Sequence, residues 1–293
     1  MALTSYLAGE VVEDFADGRL DRREALRRLG LLGVGMAAAA GLLAACSSGG
    51  RGEQAATTTA PPTSTTAAAG EPIRFPGPRG ELLAAYAAPA GAPRAAVLVV
   101  HENRGLTAHF YDLVRRFAAE GYAALCVDLL SEQGGTASLP DPAAAPTALS
   151  NAGTDALVAD LRAGIDELQR RVPGVKVGEV GFCFGGAMSW YLLQAGEARL
   201  SAVIPFYGPS PEPADFTRAK AAVLGIYAGN DQRVNASKPA AEAGLQAAGL
   251  VHEIKVYDGA DHAFFNDTGP RYNPEAAAQA WAAVLDWFGR YLS

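Results

Sequence analysis

From residue 71 onward, the apolar residues fall into short continuous runs that alternate with stretches of helical spacing. Residues 95–100 and 122–127 are apolar throughout, which is typical of strands covered on both faces. Further strands are predicted at residues 73–75, 82–87, 175–180, 200–206, 221–227 and 252–257. Helices are predicted at residues 110–121, 154–171, 184–195, 236–248 and 273–292. The alternation predicts a single α/β domain with a mainly parallel sheet and helices on both faces.

Two segments of this domain depart from the alternation. The short runs at residues 73–75 and 82–87 precede the first buried strand, and we expect both to be edge strands. Residues 131–150 are rich in Gly, Pro, Ala and Ser, which predicts a long loop. Loops of this length in compact domains are often functional lids.

The first 70 residues have a different pattern. Arg22 and Arg23 precede an uncharged stretch at residues 29–45, which is the layout of a secretory signal of the twin-arginine type. The stretch ends in Leu-Ala-Ala-Cys at residues 43–46, which resembles the bacterial lipobox. That resemblance implies cleavage before Cys46 and a lipid on its sulfur, so residues 1–45 are interpreted as a signal peptide.

Residues 46–70 are then interpreted as the lipidated cysteine and a disordered Ser/Thr/Ala/Pro/Gly tether, and residues 71–293 as the folded domain. This organisation predicts an exported protein anchored to the cell membrane through lipidated Cys46. Two alternatives remain open: a secreted protein, or one retained in the membrane by an uncleaved N-terminal helix, for which the apolar stretch is short.

Composition narrows the possible partners. Apolar residues make up 49% and charged residues 19% of the chain, which is typical of a globular protein. The net charge is −7 and Lys and Arg form no long run, so a nucleic-acid-binding face is not expected. We therefore expect a monomer that acts on a small molecule, with the membrane as its other partner.

The candidate nucleophile is Cys183. Residues 181–186 read Gly-Phe-Cys-Phe-Gly-Gly between a predicted strand and a predicted helix, which is the Gly-x-nucleophile-x-Gly elbow with Cys in place of Ser. The glycines let the strand and the helix approach closely, and the positive end of the helix favours a thiolate. The alternative is a buried cysteine in a Gly-rich turn, because free cysteine is often a small core residue.

Two later residues fit the partners that such a nucleophile needs. Asp231 follows the strand predicted at residues 221–227, and His262 follows the strand predicted at residues 252–257. The order nucleophile, acid, histidine is that of α/β-hydrolases. Asp258 and Asp261 also lie near His262, but Asp231 is preferred because an orienting acid should approach the ring from another loop.

The expected chemistry is attack of the Cys183 sulfur on an acyl carbon, with His262 accepting the thiol proton and Asp231 holding the ring. Two backbone N–H groups should stabilise the oxyanion. One is expected from Phe184, the residue after the nucleophile. The other is expected from the loop after residues 95–100, from Glu102 or Asn103, and we select Asn103.

At these residues the chain resembles the dienelactone hydrolase family. The resemblance runs from about residue 73 to the C-terminus. It is carried by His-Glu-Asn-Arg-Gly at 101–105, the elbow at 181–186, Tyr-Ala-Gly-Asn-Asp at 227–231 and His-Ala-Phe-Phe at 262–265. It implies an α/β-hydrolase fold and an ester or lactone substrate, without a cofactor.

The resemblance also gives Glu102 a role, because in this family the resting thiol is paired with this carboxylate, which moves when substrate binds and helps to generate the thiolate. The alternative for Glu102 is an ion pair with Arg104. His101 and Glu102 begin like the zinc motif His-Glu-x-x-His, but position 105 is glycine, so no metal site is expected.

Substrate recognition is less well defined. Family members that act on dienelactone bind its carboxylate with arginines, and the positions where these are expected hold other residues here. Arg104, His109 and Tyr207 are the candidate substrate-binding residues, and Arg233 and Arg271 are unassigned.

The sequence thus predicts a hydrolase that cleaves a small carboxylic ester or lactone through Cys183, His262, Asp231 and a covalent acyl-enzyme. Two other functions stay open. One is a ligand-binding lipoprotein that keeps the fold without catalysis, and the other is a thiol-dependent acyltransferase or peptidase.

Overall fold

An eight-stranded sheet forms the centre of the computed structural model, which describes residues 3–46 and 70–293. Its strands are β1 (Glu71–Gly77), β2 (Gly80–Ala87), β3 (Ala95–Val100), β4 (Tyr122–Val127), β5 (Val177–Phe182), β6 (Leu200–Phe206), β7 (Ala222–Ala228) and β8 (His252–Tyr257). They lie in the order β1-β2-β4-β3-β5-β6-β7-β8. The pairs β1–β2 and β2–β4 are antiparallel and all the others are parallel.

The helices that follow the strands pack on both faces of this sheet. In chain order the described helices are α1 (Leu3–Ala16), α2 (Arg22–Leu31), α3 (Met36–Cys46), α4 (Ala108–Ala119), α5 (Ala145–Ala152), α6 (Thr154–Arg171), α7 (Phe184–Gln194), α8 (Gln232–Asn235), α9 (Lys238–Ala247) and α10 (Pro274–Tyr291). Alternate residues of β5 face opposite sides: Glu179 contacts Ser189 of α7, whereas a side chain at Gly178 would meet Phe288 of α10. The predicted α/β-hydrolase class of fold is confirmed.

The central strands owe their position to their composition. Every residue of β3, β4, β5 and β7 is buried, so these strands can lie only between two layers of helices. Aromatic residues of two helices pack together on one face of the sheet, where the ring centroids of Phe117 in α4 and Trp281 in α10 lie 4.7 Å apart. The rigid sheet fixes where each loop at its carboxyl edge begins.

Two of the predicted elements were wrong. Residues 82–87 belong to β2, which is paired on both sides rather than at an edge, because β1 extends beyond the predicted residues 73–75 and pairs with residues 80–86 of β2. Residues 131–150 are not a plain loop: they contain three short 3-10 turns at Ser131–Gln133, Thr136–Ser138 and Pro142–Ala144, and then α5. The side chain of Asp141 accepts from the Ala143 amide, and Leu149 is buried, so this segment has a cap and a core contact of its own.

Helices α1, α2 and α3 lie in the part of the chain that was interpreted as a signal peptide. Tyr6, Leu7, Leu29 and Leu43 are buried there, so these helices pack instead of standing free. None of the helices in the described part of the chain is long and apolar enough to cross a membrane. The tether predicted at residues 46–70 falls almost wholly outside the described residues, and its disorder stays a prediction.

Candidate active site

Cys183 occupies a sharp turn between β5 and α7. Its φ is 57°, a left-handed conformation that non-glycine residues rarely adopt. The turn needs glycine on both sides: a Cβ at Gly181 would lie 2.2 Å from the Gly185 carbonyl oxygen, and one at Gly185 would lie 2.3 Å from that of Val100. The predicted elbow is therefore present, with the cysteine at the N-terminus of α7.

A buried polar pair, Glu179 of β5 and Ser189 of α7, lies next to this turn. The Ser189 hydroxyl donates to Oε1 of Glu179 at 2.7 Å and lies 3.0 Å from the Gly185 carbonyl oxygen. Burial raises the pKa of Glu179 well above its ordinary value, which favours the neutral carboxylic acid. Sequence reasoning missed this pair, although a glutamate inside an otherwise apolar strand was a visible signal.

His262 and Asp231 meet at the carboxyl edge of the sheet. Nδ1 of His262 lies 2.5 Å from Oδ2 of Asp231, and Oδ1 of the same carboxylate accepts from the Val234 amide at 3.0 Å. Asp231 is thus held by the start of α8 while it holds the ring. The rival Asp261 instead accepts from Asn230 at 2.9 Å.

The opposite edge of the His262 ring, which carries Nε2, lies toward the thiol. A His262 ring nitrogen and the Cys183 sulfur lie within 4.8 Å of each other, and Cys183 is only 3% exposed. Two residues of α1 share this space: the Tyr6 hydroxyl lies 3.2 Å from the sulfur, and Oε2 of Glu10 lies 3.3 Å from Nε2 of His262. The structure therefore brings Cys183, His262 and Asp231 together and adds two N-terminal residues.

Electrostatics follow from this packing. Burial favours a neutral ring, but the carboxylates of Glu10 and Asp231 outweigh it and raise the pKa of His262 well above its ordinary value; an ionised Cys183 sulfur would raise this pKa further. Burial and the Glu10 charge raise the pKa of the Cys183 thiol, against the opposing effect of His262. With Glu10 in place, the imidazolium form of His262 and the neutral thiol of Cys183 are favoured.

Glu102 lies beside this group without pairing with the thiol. Its Oε2 accepts from Nδ2 of Asn266 at 2.8 Å, and its Oε1 lies 3.5 Å from the Tyr207 hydroxyl. Tyr207 also places its ring 5.1 Å from the His262 ring, edge to face, and is fully buried. The family resemblance implies a pair between Glu102 and the resting thiol. In this structure Tyr6 and Glu10 contact Cys183 instead.

The loop after β3 is fixed by His101. Its Nε2 accepts from the Leu129 amide at 3.0 Å, and its Nδ1 lies 2.7 Å from the Glu102 carbonyl oxygen. Burial lowers the pKa of His101, in keeping with a neutral ring that accepts at one nitrogen and donates at the other. His101 is therefore a support for residues 102–104 and has no free nitrogen for a metal.

A cavity of about 210 Å³ opens at the thiol. Its lining includes Glu10, Glu102, Asn103, Arg104, Cys183, His262 and Arg271. Asn103 thus lies where the second oxyanion donor was expected, and Phe184 begins α7 directly after the nucleophile. Their roles as donors stay predictions.

The candidate substrate-binding residues differ in their surroundings. Arg104 lines the cavity, whereas His109 is buried with Nδ1 2.9 Å from Oδ1 of Asp267. Asp267 also pairs with Arg116, and the bonds from these two residues keep the pKa of its carboxyl below the usual range despite burial. His109 is placed to tie α4 to the loop after His262, whereas its neighbours Thr107 and Phe110 line the cavity.

The donor atoms present could also hold a metal ion. Among the described residues, Glu10, Cys183 and His262 form one cluster with ligand atoms within 4.8 Å, and Glu13, Asp231 and His262 form another. Both clusters depend on α1 and share atoms with the Cys183–His262–Asp231 group. They are more simply described as that group in contact with N-terminal carboxylates.

Tyr6 and Glu10 are two further site residues that sequence reasoning missed. The signal that could have found them is the helical spacing of Tyr6, Leu7, Glu10 and Val11, which all face inward from α1. The sequence pattern predicts only an export signal for this segment, and a signal peptide is not expected to pack against the domain it precedes.

The elbow, the ordered acid and histidine, and the eight-stranded sheet define a hydrolase of the α/β-hydrolase fold. Comparison with known proteins is more specific. The model of the dienelactone hydrolase family matches residues 82–292, and the chain belongs to this family.

Relatives and solved structures agree with this assignment. The chain is 32% identical over 246 residues to a candidate carboxymethylenebutenolidase of Saccharolobus solfataricus, covering 72% of this chain and 95% of the relative. It matches the crystal structure of a candidate dienelactone hydrolase from Klebsiella pneumoniae with a TM-score of 0.68 and 29% identity, over 75% of this chain and 98% of that one.

A dienelactone hydrolase-like promiscuous phosphotriesterase from metagenomic libraries also has a TM-score of 0.68. It is 25% identical, and the match covers 78% of this chain and 100% of that one. The family model begins at residue 82, so helices α1, α2 and α3 lie outside the region that defines the family.

Proposed function

We propose that the protein hydrolyses a small carboxylic ester or lactone, with Cys183 as nucleophile, His262 as base and acid, and Asp231 as the orienting carboxylate. The observation that carries the proposal is the contact of Asp231 with Nδ1 of His262 at 2.5 Å, with the other side of the ring toward Cys183. A ring held at one nitrogen presents the other to the thiol in one orientation.

The chemistry proceeds in two halves once a substrate replaces the α1 side chains. The thiol proton moves to Nε2 of His262 while the sulfur bonds to the acyl carbon, and the oxyanion is stabilised by the Phe184 and Asn103 amides. The ester C–O bond then breaks, and His262 returns the proton to the leaving oxygen. Water attacks the thioester with His262 as base, which releases the acid and restores the thiol.

Glu102 is proposed to take part in thiolate formation. It lines the same cavity as Cys183, and its charge contributes to the raised pKa of the thiol. Its hydrogen bonds to Asn266 and Tyr207 hold it away from the sulfur in the present arrangement. Departure of α1 would leave room for this carboxylate to approach the thiol and then give way to a substrate.

The substrate class is proposed to include esters or lactones with an anionic group. Arg104 and Arg271 line the cavity, and α1 places carboxylates on Arg271, with Asp14 at 2.9 Å. Arginine side chains that bind a carboxylate in one occupant can bind one in another. These arginines lie outside the sequence positions where the family resemblance predicted them.

Export and lipidation at Cys46 are proposed on sequence grounds. The supporting features are the arginine pair at the start of α2 and the Leu-Ala-Ala-Cys at residues 43–46. Labelling cells with a radioactive fatty acid should mark the parent and leave Cys46→Ala unlabelled. Membrane retention of Cys46→Ala without label would instead point to an uncleaved N-terminal helix.

The test of the hydrolase proposal uses residues 71–293, because this part of the chain contains residues 82–292, which the family model matches, and all eight strands of the sheet. This chain should release nitrophenol from short-chain nitrophenyl esters, and Cys183→Ala should abolish the release. Activity that survives Cys183→Ala would refute the mechanism. Absence of activity on every ester and lactone tested would favour the ligand-binding alternative.

A further inference from the structure

Helix α1 covers the mouth of the candidate active site. Its buried residues are Tyr6, Leu7, Ala8, Glu10 and Val11, which form one face of the helix. The exposed residue Ser5 lies on the other side. The inward face thus combines apolar side chains with one carboxylate and one phenol.

The two polar groups of this face contact the reacting atoms. The Tyr6 hydroxyl lies 3.2 Å from the Cys183 sulfur, and Oε2 of Glu10 lies 3.8 Å from the same sulfur and 3.3 Å from Nε2 of His262. An acyl carbon would have to occupy this space to be attacked. Glu10 also stabilises the imidazolium form of His262, which cannot accept the thiol proton.

Two arginines of the hydrolase domain hold the acidic residues of this segment. Arg233 pairs with Glu10 and with Glu13, the latter at 2.9 Å, and its guanidinium lies 4.8 Å from the Tyr6 ring centroid. Arg271 pairs with Asp14 at 2.9 Å and Asp17 at 3.2 Å. Four carboxylates on consecutive turns thus face two cations that flank the site.

The backbone of α1 approaches this surface closely at one point. A Cβ on Gly9 would lie 2.8 Å from Cδ of Arg233, so a larger residue would push the arginine or the helix away. Beyond the arginines, Thr4 contacts Ser150 of α5, with 2.6 Å between their hydroxyl oxygens, and Arg27 of α2 pairs with Asp141 at 2.6 Å. The N-terminal helices therefore also contact the segment between β4 and α6.

We propose that residues 3–17 are an intramolecular inhibitor of the hydrolase site, docked as a helix whose Tyr6 and Glu10 occupy the place of the substrate at Cys183 and His262. The proposal rests on the proposed function, because the site that it closes is the one assigned to the reaction. The docking surface is the cavity mouth with Arg233 and Arg271, and the occupant is an acidic amphipathic helix of this chain.

The position of the inhibitor in the sequence supplies a means of release. Residues 3–17 precede Cys46, so cleavage at the predicted lipobox separates them from the hydrolase domain. A detached segment is no longer held at the high effective concentration of a linked one and can diffuse away. The precursor would then be closed, and the processed enzyme open with Arg233 and Arg271 free.

The test is the rate at which iodoacetamide alkylates Cys183, followed on the peptide that contains it by mass spectrometry. The full chain carries Cys46→Ser so that it stays uncleaved. Glu10→Lys places a cation against Arg233 and His262, and Ser5→Lys, which places the same side chain on the exposed face of α1, is the control. We expect Glu10→Lys to raise both the alkylation rate and kcat/KM at least about tenfold, because the open fraction limits both.

Equal alkylation rates in the parent, Ser5→Lys and Glu10→Lys chains would overturn the proposal. Circular dichroism establishes that Glu10→Lys is folded. If Glu10→Lys is unfolded, a protease site is inserted within residues 51–69 of the chain that keeps Glu10, so that α1 can be released by cleavage. Cleavage followed by gel filtration should raise the alkylation rate at least about tenfold, and an unchanged rate would contradict the inference.

The two readouts separate this inference from the proposed function. Faster alkylation without ester hydrolysis in any variant would support the docked inhibitor and refute the hydrolase assignment. If the parent chain hydrolyses esters and neither Glu10→Lys nor cleavage increases the rate, the docked inhibitor is refuted and the hydrolase assignment is supported.

Discussion

Oδ2 of Asp231 lies 2.5 Å from Nδ1 of His262, although the two residues belong to different loops at the carboxyl edge of the sheet. The same carboxylate caps α8 through the Val234 amide, so the position of the acid is set by a helix start. Asp231 therefore orients the ring from a fixed point, whereas Asp261, the residue next to His262, bonds to Asn230 instead.

Asp231→Asn in residues 71–293 should lower kcat for nitrophenyl esters by a factor of about 10⁴, the effect of the same change in a serine triad. The amide can present its NH₂ group to Nδ1 and so favour the wrong tautomer. Steady-state kinetics measure the change, and Asp261→Asn is the matched control. A large loss in the control together with a small one in Asp231→Asn would show that the wrong acid has been assigned.

Cys183 should carry the acyl group during turnover. Rapid acid quenching of residues 71–293 with a nitrophenyl ester should give a mass increase of one acyl group on the peptide that contains Cys183. Cys126, the buried cysteine of β4, should stay unmodified and is the internal control. An enzyme that turns over without any adduct on Cys183, even when deacylation is slowed at low pH, would not fit a covalent mechanism.

The docking of α1 should weaken at alkaline pH. The carboxylates of Glu10 and Asp231 together raise the pKa of His262, and undocking removes the Glu10 contribution. The pair of His262 with Glu10 therefore stabilises the docked state fully below the undocked pKa of His262. This stabilisation is lost as pH rises through the higher docked pKa.

The measurement is the alkylation rate of Cys183 as a function of pH in the full chain and in residues 71–293. Thiolate formation raises the rate in both, so the ratio of the two rates isolates docking. The ratio of full to short chain should increase on the alkaline side. In Glu10→Gln it should change less with pH, and a steeper change in Glu10→Gln than in the parent would contradict the ion pair.

Glu179 should make the stability of the domain depend on pH. Burial raises the pKa of this carboxyl, so above the ordinary glutamate pKa the folded domain binds a proton that the unfolded chain has released. The free energy of unfolding should therefore fall as pH rises from about 5 toward 8. Glu179→Gln should flatten this slope, as urea denaturation of both chains at several pH values will measure. An identical slope in Glu179→Gln would mean that the carboxyl is ionised in the folded domain.

Features set by neighbouring residues were predictable from the sequence, whereas contacts between distant residues were not. The fully buried strands β3 and β4 match the prediction residue for residue, because an apolar run of that length fits only the middle of a sheet. The elbow and the order of Cys183, Asp231 and His262 were also predictable from the sequence, because each residue follows a predicted strand. The partners of Glu102 were not, because Tyr207 and Asn266 reach it from distant loops.

The role of α1 was hidden for a different reason. Its acidic residues resemble an ordinary solvated helix face, and the arginines that bind them, Arg233 and Arg271, come more than 200 residues later. Only the three-dimensional contact shows that these charges are paired. Export signals and inhibitory segments can share one stretch of sequence, so the first interpretation does not exclude the second.

Arg271 should matter for substrates that carry a carboxylate. In residues 71–293 the carboxylates of Asp14 and Asp17 are absent, and the guanidinium is free to bind an anionic group of the substrate near Cys183. Arg271→Gln should lower kcat/KM for a carboxylate-bearing ester by about tenfold, the loss of one charge-assisted hydrogen bond, and leave a neutral ester of similar size unchanged. Steady-state kinetics with the matched pair of esters provide the measurement, and Arg290→Gln on the exposed side of α10 is the control. An equal loss for both esters would show that Arg271 shapes the loop after His262 and does not recognise charge.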